Sequence, residues 1–132
     1  MLEQEGYDLM AAAFEVYNEL GHGFLEEVYQ EALERELVTR SIPFAAQPPV
    51  QINYKGKVLN KSYKPDLVAH DAMIVELKAV KALAPEHEAQ LLNYLKATGK
   101  PVGYLINFGC PSKLEWKRMI LTHPKSTTVS DN

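Results

Sequence analysis

An acid at Asp66, a second at Glu76 and a base at Lys78 form the part of this sequence best equipped for chemistry. Glu76 and Lys78 interrupt an otherwise apolar run, Met73 to Ala79, that reads as a buried strand. An ionised group left in a low-dielectric interior costs several kcal/mol unless something compensates it. Two carboxylates side by side repel each other unless a cation lies between them. Hard divalent ions such as magnesium take one or two carboxylates, a carbonyl and several waters. A lysine beside such an ion could orient or deprotonate a water and neutralise charge as a phosphodiester is attacked. The plainer reading is a Glu76–Lys78 surface pair on an edge strand, with an unrelated Asp66.

The choice turns on the elements that carry these residues. Glu76 and Lys78, two apart on a strand, leave the same face. A two-residue turn at His70-Asp71 sets Asp66 opposite Val75 and sends the carboxylates to opposite faces. A three-residue loop or one bulge sets Asp66 opposite Glu76. Asp66, Val68, Ile74, Glu76 and Lys78 then share one face, and Leu67, Ala69, Met73, Val75, Leu77 and Ala79 form a purely apolar second face. The latter register is the one expected.

Upstream, Tyr7, Met10, Phe14 and Tyr17 recur at helical spacing over residues 3–20, and Gly21-His22-Gly23 ends that helix. A second helix, Phe24 to Arg40, sets Leu25, Val28, Tyr29, Ala32 and Leu33 on one flank, with Glu26 at its border. Pro43, Pro48 and Pro49 mark a non-helical connection. Val50 to Tyr54 alternates with period two, and Lys55-Gly56 supplies a turn. Pro85, Glu86 and Glu88 begin a third helix whose apolar side is Leu91, Leu92 and Leu95, with Gly99 at its end. Pro101 to Phe108 reads as a buried strand. Lys113 to Leu121 fits a strand or a helix, and residues 123–132 read as a loose tail behind one domain spanning 1–122.

With 132 residues, 46% hydrophobic and 23% charged, the chain has the composition of a globular domain with no membrane-spanning run. The acidic N-terminus is unlike an export signal, and the single Cys110 excludes an internal disulfide, so reducing cytoplasm is the expected compartment. The net charge of −3 hides an asymmetry: residues 1–40 carry ten acids and two bases, whereas residues 41–132 carry twelve bases and seven acids. Lys55, Lys57, Lys61 and Lys64 crowd ahead of Asp66, either to meet phosphates or only to solvate a hairpin. Lys96, Lys100, Lys113, Lys117 and Arg118 follow later. Cys110 and Trp116 are expected to pack.

Pro65-Asp66 followed by Glu76-Leu77-Lys78 resembles the signature of the PD-(D/E)XK, restriction-endonuclease-like nuclease superfamily. Gly23-Phe24-Leu25-Glu26-Glu27-Val28-Tyr29 resembles the motif of its GxxExxY branch, which is prokaryotic. Gln90-Leu91-Leu92-Asn93-Tyr94 is similar to the QxxxY element of related exonucleases. The resemblance implies an α/β fold, a central mixed sheet flanked by helices with two helices at the N-terminus. It also implies a Mg2+- or Mn2+-dependent nuclease acting on DNA. Asp66, Glu76 and the Leu77 carbonyl would hold the metal, Lys78 would serve as base or charge stabiliser, and Glu26 would act on the metal or its waters. Gln90 and Tyr94, four apart on one helix face, would orient the carboxylate, the lysine or a phosphate. His22 and His87 lie within reach of the site, although histidines so placed are commonly surface or capping groups. Cutting both strands of a duplex would call for a homodimer. The contrasting expectation is a non-catalytic module that uses the same fold to contact nucleic acid or protein.

Overall fold

The structure is a computed structural model that describes residues 1–122; the expected tail, 123–132, lies outside the described residues. Two helices come first, α1 (Glu3–Leu20) and α2 (Glu26–Thr39). Then follow β1 (Phe44–Ala46), β2 (Val50–Tyr54), β3 (Lys57–Tyr63), β4 (Leu67–Ala69), β5 (Met73–Lys78), α3 (Pro85–Thr98), β6 (Val102–Asn107) and β7 (Glu115–Ile120). Five strands form one sheet in the order β1-β4-β5-β6-β7, and β2 with β3 form a separate two-stranded ribbon. β5 and β6 are parallel, joined through α3, while the other neighbours are antiparallel. The expected mixed α/β sheet with two N-terminal helices is therefore the observed architecture.

Alternation along the strands explains the layering. Leu67, Ala69, Met73, Val75, Leu77, Val102, Tyr104 and Ile106 face α1 and α2 in one core. Ile74 and Leu105 point the other way, toward Leu91 and Leu95 of α3 and Tyr63 of the ribbon. β5 is thus covered on both faces, as a parallel pairing requires.

Several boundaries differ from the sequence expectation. Helix α2 starts at Glu26 rather than Phe24, because Leu25 is extended. The span read as strand or helix is strand β7, and the proline-bounded connection contains β1, a three-residue edge strand. The buried face of α1 is Gly6, Leu9, Met10, Ala12, Ala13 and Val16. Tyr7 and Phe14 are instead exposed, as are Leu25 and Val28 in the second helical region. Small residues let α1 approach the sheet closely, so the bulky side chains of the same periodicity fall outside: a Cβ on Gly6 would collide with the Tyr104 hydroxyl. Trp116, expected to pack, is 40% exposed on β7, while Cys110 is half-buried.

Candidate active site

The β4–β5 register is the one that gathers charge: Ala69 pairs with Met73, Val68 with Ile74 and Leu67 with Val75, so Asp66 lies one step beyond, opposite Glu76. The connection is a three-residue loop in which His70 and Asp71 both take left-handed backbone angles. Past the end of β4, the Asp66 carboxylate continues the ladder: the Leu77 N–H donates to Asp66 Oδ2 at 2.7 Å. In an extended residue the N–H and C=O lean toward the same neighbour, so the Leu77 carbonyl opens on the Asp66 side.

The Asp66 main chain is held as firmly. Its carbonyl accepts from Gln47 N at 3.1 Å and from Gln30 Nε2 of α2 at 2.8 Å. The opposite carboxylate, on Glu76, accepts from the Tyr63 hydroxyl through Oε2. The Tyr63 ring lies flat against Tyr94 of α3, with centroids 3.6 Å apart and planes within 3°.

Glu76, Lys78, Tyr63, Lys64, His87, Gln90 and Tyr94 line one depression of about 310 Å3. Asp66, Leu77, Glu26, Glu27, Gln30 and Gln47 line another of about 170 Å3. The expected residues are therefore divided between two depressions, with the hydrogen-bonded Asp66 and Leu77 both lining the second. Gln90 and Tyr94 share a helix face as expected, but the hydroxyl that reaches Glu76 belongs to Tyr63. The ring of His87 closes the first turn of α3, where Nδ1 accepts from Ala84 N at 3.0 Å, and it also lines the first depression. His22 is exposed in the glycine turn.

That turn explains how Glu26 is presented. Gly21 and Gly23 have φ of 69° and 113°, values a side chain resists. Tyr29, fully buried and stacked on Phe108 with centroids 4.6 Å apart, donates its hydroxyl to the Gly21 carbonyl and accepts from Phe24 N at 3.2 Å. Glu26 emerges exposed at the first residue of α2. Behind β5, the buried Asn107 side chain accepts from Val80 N and donates to the Val80 carbonyl and to Glu115, fixing the chain just after Lys78. The Asn107 amide in turn holds the Glu115 carboxyl below its usual range.

At both carboxylates burial is set against charge. Burial pushes Glu76 up to about 7, against the Asp66 N–H and Lys78, with Glu26 adding to the rise. Burial likewise raises Asp66, opposed by the Leu77 N–H and Lys78 and reinforced by Glu26. Lys78 and Glu26 thus act on both carboxylates across the division between the depressions. Among the described residues no three His, Cys, Asp or Glu side chains are arranged to hold a metal ion. The donor set at β5 is two carboxylates and a main-chain carbonyl. Such all-oxygen sets suit a hard, largely hydrated cation such as Mg2+ and do not suit zinc or copper.

Tyr63, Gln30 and the Asn107–Glu115 pair were not singled out in the sequence, whereas Lys64 was, among the lysines ahead of Asp66. Of those missed, only Gln30 carried a signal there, four residues beyond Glu26 and so on the same face of α2.

The family model of the PD-(D/E)XK nuclease superfamily matches residues 3–119, and the chain belongs to that superfamily. Two solved structures share the fold. One, described as "Crystal structure of SSO0001", is 19% identical with a TM-score of 0.57, over 76% of this chain and 52% of that one. The other is an alkaline exonuclease (LHK-Exo) from Laribacter hongkongensis, 14% identical with a TM-score of 0.50, over 71% and 55% of the two chains. This chain therefore spans about half the length of these relatives. No curated protein matches it. No helix among the described residues is long and apolar enough to cross a membrane.

Proposed function

We propose that the protein is a nuclease that hydrolyses phosphodiester bonds in DNA with Mg2+ or Mn2+, and that it belongs to the GxxExxY branch. The observation that carries this is the pairing of Asp66 opposite Glu76 with Lys78 two residues on, three charged groups at the end of a strand packed on both faces. Asp66, Glu76 and the Leu77 carbonyl would hold the ion, which supplies Lewis acidity toward the phosphoryl group and a more acidic water. Tyr63 and the Leu77 N–H keep the two carboxylates turned inward. Lys78 offers a proton-accepting or charge-stabilising amine at Nζ on the face shared with Glu76. Glu26 adds negative charge that both carboxylates sense, suited to ordering water at the ion. Gln90 and Tyr94 form the wall on which a substrate phosphate would rest. Support for the branch lies in the roles its motif residues play: Gly23 takes a positive φ, Tyr29 clamps the turn and Glu26 stands at the helix start.

Purified protein with Mg2+ or Mn2+ should cut DNA, EDTA should stop it, and Glu76→Ala and Lys78→Ala should abolish cleavage while leaving thermal unfolding cooperative. Undiminished cleavage by both variants removes this site. The separation of the two depressions favours a second reading, a non-catalytic nucleic-acid-binding module. Calorimetry that detects no Mn2+ binding supports that module over the enzyme.

A further inference from the structure

We infer that the β2–β3 ribbon is a DNA-contacting arm that enters the major groove of duplex DNA and guides one strand toward the Glu76–Lys78 depression; the inference builds on the nuclease reading. The ribbon stands apart from the five-stranded sheet, and its turn, Lys55-Gly56, has positive φ at both positions. Tyr54 pairs with Lys57 and Val50 with Tyr63, with a register shift between Gln51 and Asn53 that leaves Leu59, Asn60 and Lys61 in a bulged stretch of β3. At its base the ribbon is packed, with Val50, Ile52 and Tyr63 against α3. Toward the tip the ribbon is exposed, with Tyr54 at 60% and Leu59 at 42% alongside Lys57 and Lys61.

Three observations select the occupant. Lys57 and Lys61, both exposed on β3, present like charge without a carboxylate partner among the described residues. The rest of the ribbon is exposed and largely polar, with Gln51, Asn53, Asn60 and Ser62 beside an exposed Val58, side chains of which the polar ones are able to meet base edges and phosphates. A two-stranded ribbon fits the major groove, about 12 Å wide. A single strand would instead call for several stacking aromatics, and the tip offers only Tyr54, which Lys55 covers with its ammonium 5.5 Å from the ring centroid. The ribbon also leads to the chemistry: β3 ends at Tyr63, bonded to Glu76, and the next residue, Lys64, lines the same depression.

The test is fluorescence anisotropy of the full chain with a labelled DNA duplex in EDTA, over a range of salt, with single-stranded DNA and an RNA duplex as parallel probes. Replacing both Lys57 and Lys61 by alanine should weaken duplex binding about tenfold and lower the salt slope by about two, at roughly 0.9 per lost phosphate contact. Lys57→Arg with Lys61→Arg should restore affinity. Removing Lys113 and Lys117, at the opposite edge of the sheet, should change it less than twofold. Unchanged affinity and slope in the ribbon variant overturns the inference, as does a loss confined to single-stranded DNA or larger for the RNA duplex. If the wild-type chain fails to cut with Mn2+ yet loses duplex binding in the ribbon variant, the nuclease reading falls and the arm stands.

Discussion

At the level of single residues, Glu76 is held in two ways at once, by burial that opposes its charge and by the Tyr63 hydroxyl that donates to Oε2. Its metal-free titration has a definite sign. The folded group titrates near 7 against an ordinary 4.5, so between those values the folded chain keeps a proton that the unfolded chain has released. Stability contributed by Glu76 is therefore present below the ordinary value and lost as pH rises through the window. In chelator, Glu76→Gln should flatten this decline and, above the window, stabilise the fold by about 1 kcal/mol, a figure discounted for partial exposure. Thermal melts across pH measure it; a variant that follows the wild-type profile contradicts the account. Tyr63→Phe keeps the ring stacked on Tyr94 but frees Glu76 to turn away. Cleavage should fall about tenfold, the worth of a hydrogen bond to a charged group of about 1.5 kcal/mol. The melting temperature should barely move. A variant with full activity would show that the hydroxyl does not position the carboxylate.

At the level of elements, the site depends on two turns that glycine makes possible. Gly23 at φ 113° lets the chain leave α1 and present Glu26 at the start of α2. Gly23→Ala should cost about 1–2 kcal/mol through backbone strain and lower cleavage by displacing Glu26, read by denaturant melts and single-turnover rates. Gly109 passes so close to Ala79 and the Val80 carbonyl that a Cβ would collide with main chain. Gly109→Ala should therefore destabilise by roughly 1–3 kcal/mol, since neither backbone can retreat without moving the end of β5. Near-wild-type stability in either variant would mean that the turn relaxes freely.

These elements also show what the sequence can and cannot disclose. The end of α1 at Gly21, the Lys55-Gly56 turn and the Asp66-opposite-Glu76 register were legible, because each is set by local backbone preference or by the demand that one sheet face be apolar. The inward face of α1 was not, because close packing there selects Gly6, Ala12 and Ala13 over the larger Tyr7 and Phe14. Short β1 was hidden because three residues between prolines carry no periodic signal. Gln30 reaching the Asp66 carbonyl and Tyr63 reaching Glu76 are contacts across 36 and 13 residues, made by tertiary packing and not by any local rule.

For the whole molecule, the fold gives the proposed chemistry a firm base and a basic approach. Both faces of β5 are packed, by α1 and α2 on one side and by α3 with the ribbon on the other. The two carboxylate residues are consequently held from both layers, Asp66 by Gln30 of α2 and Glu76 by Tyr63 at the end of β3. The acidic first forty residues and the lysine-bearing ribbon place opposite charge in different parts of the chain, an arrangement suited to admitting a polyanion from one direction. Crystals grown with Mn2+ and measured at the manganese absorption edge test the centre of this account. The predicted result is one anomalous peak within about 2.3 Å of an Asp66 oxygen, a Glu76 oxygen and the Leu77 carbonyl, lost in Glu76→Ala. A fully loaded crystal with no peak there, or with a peak bound by only one of the two carboxylates, contradicts it.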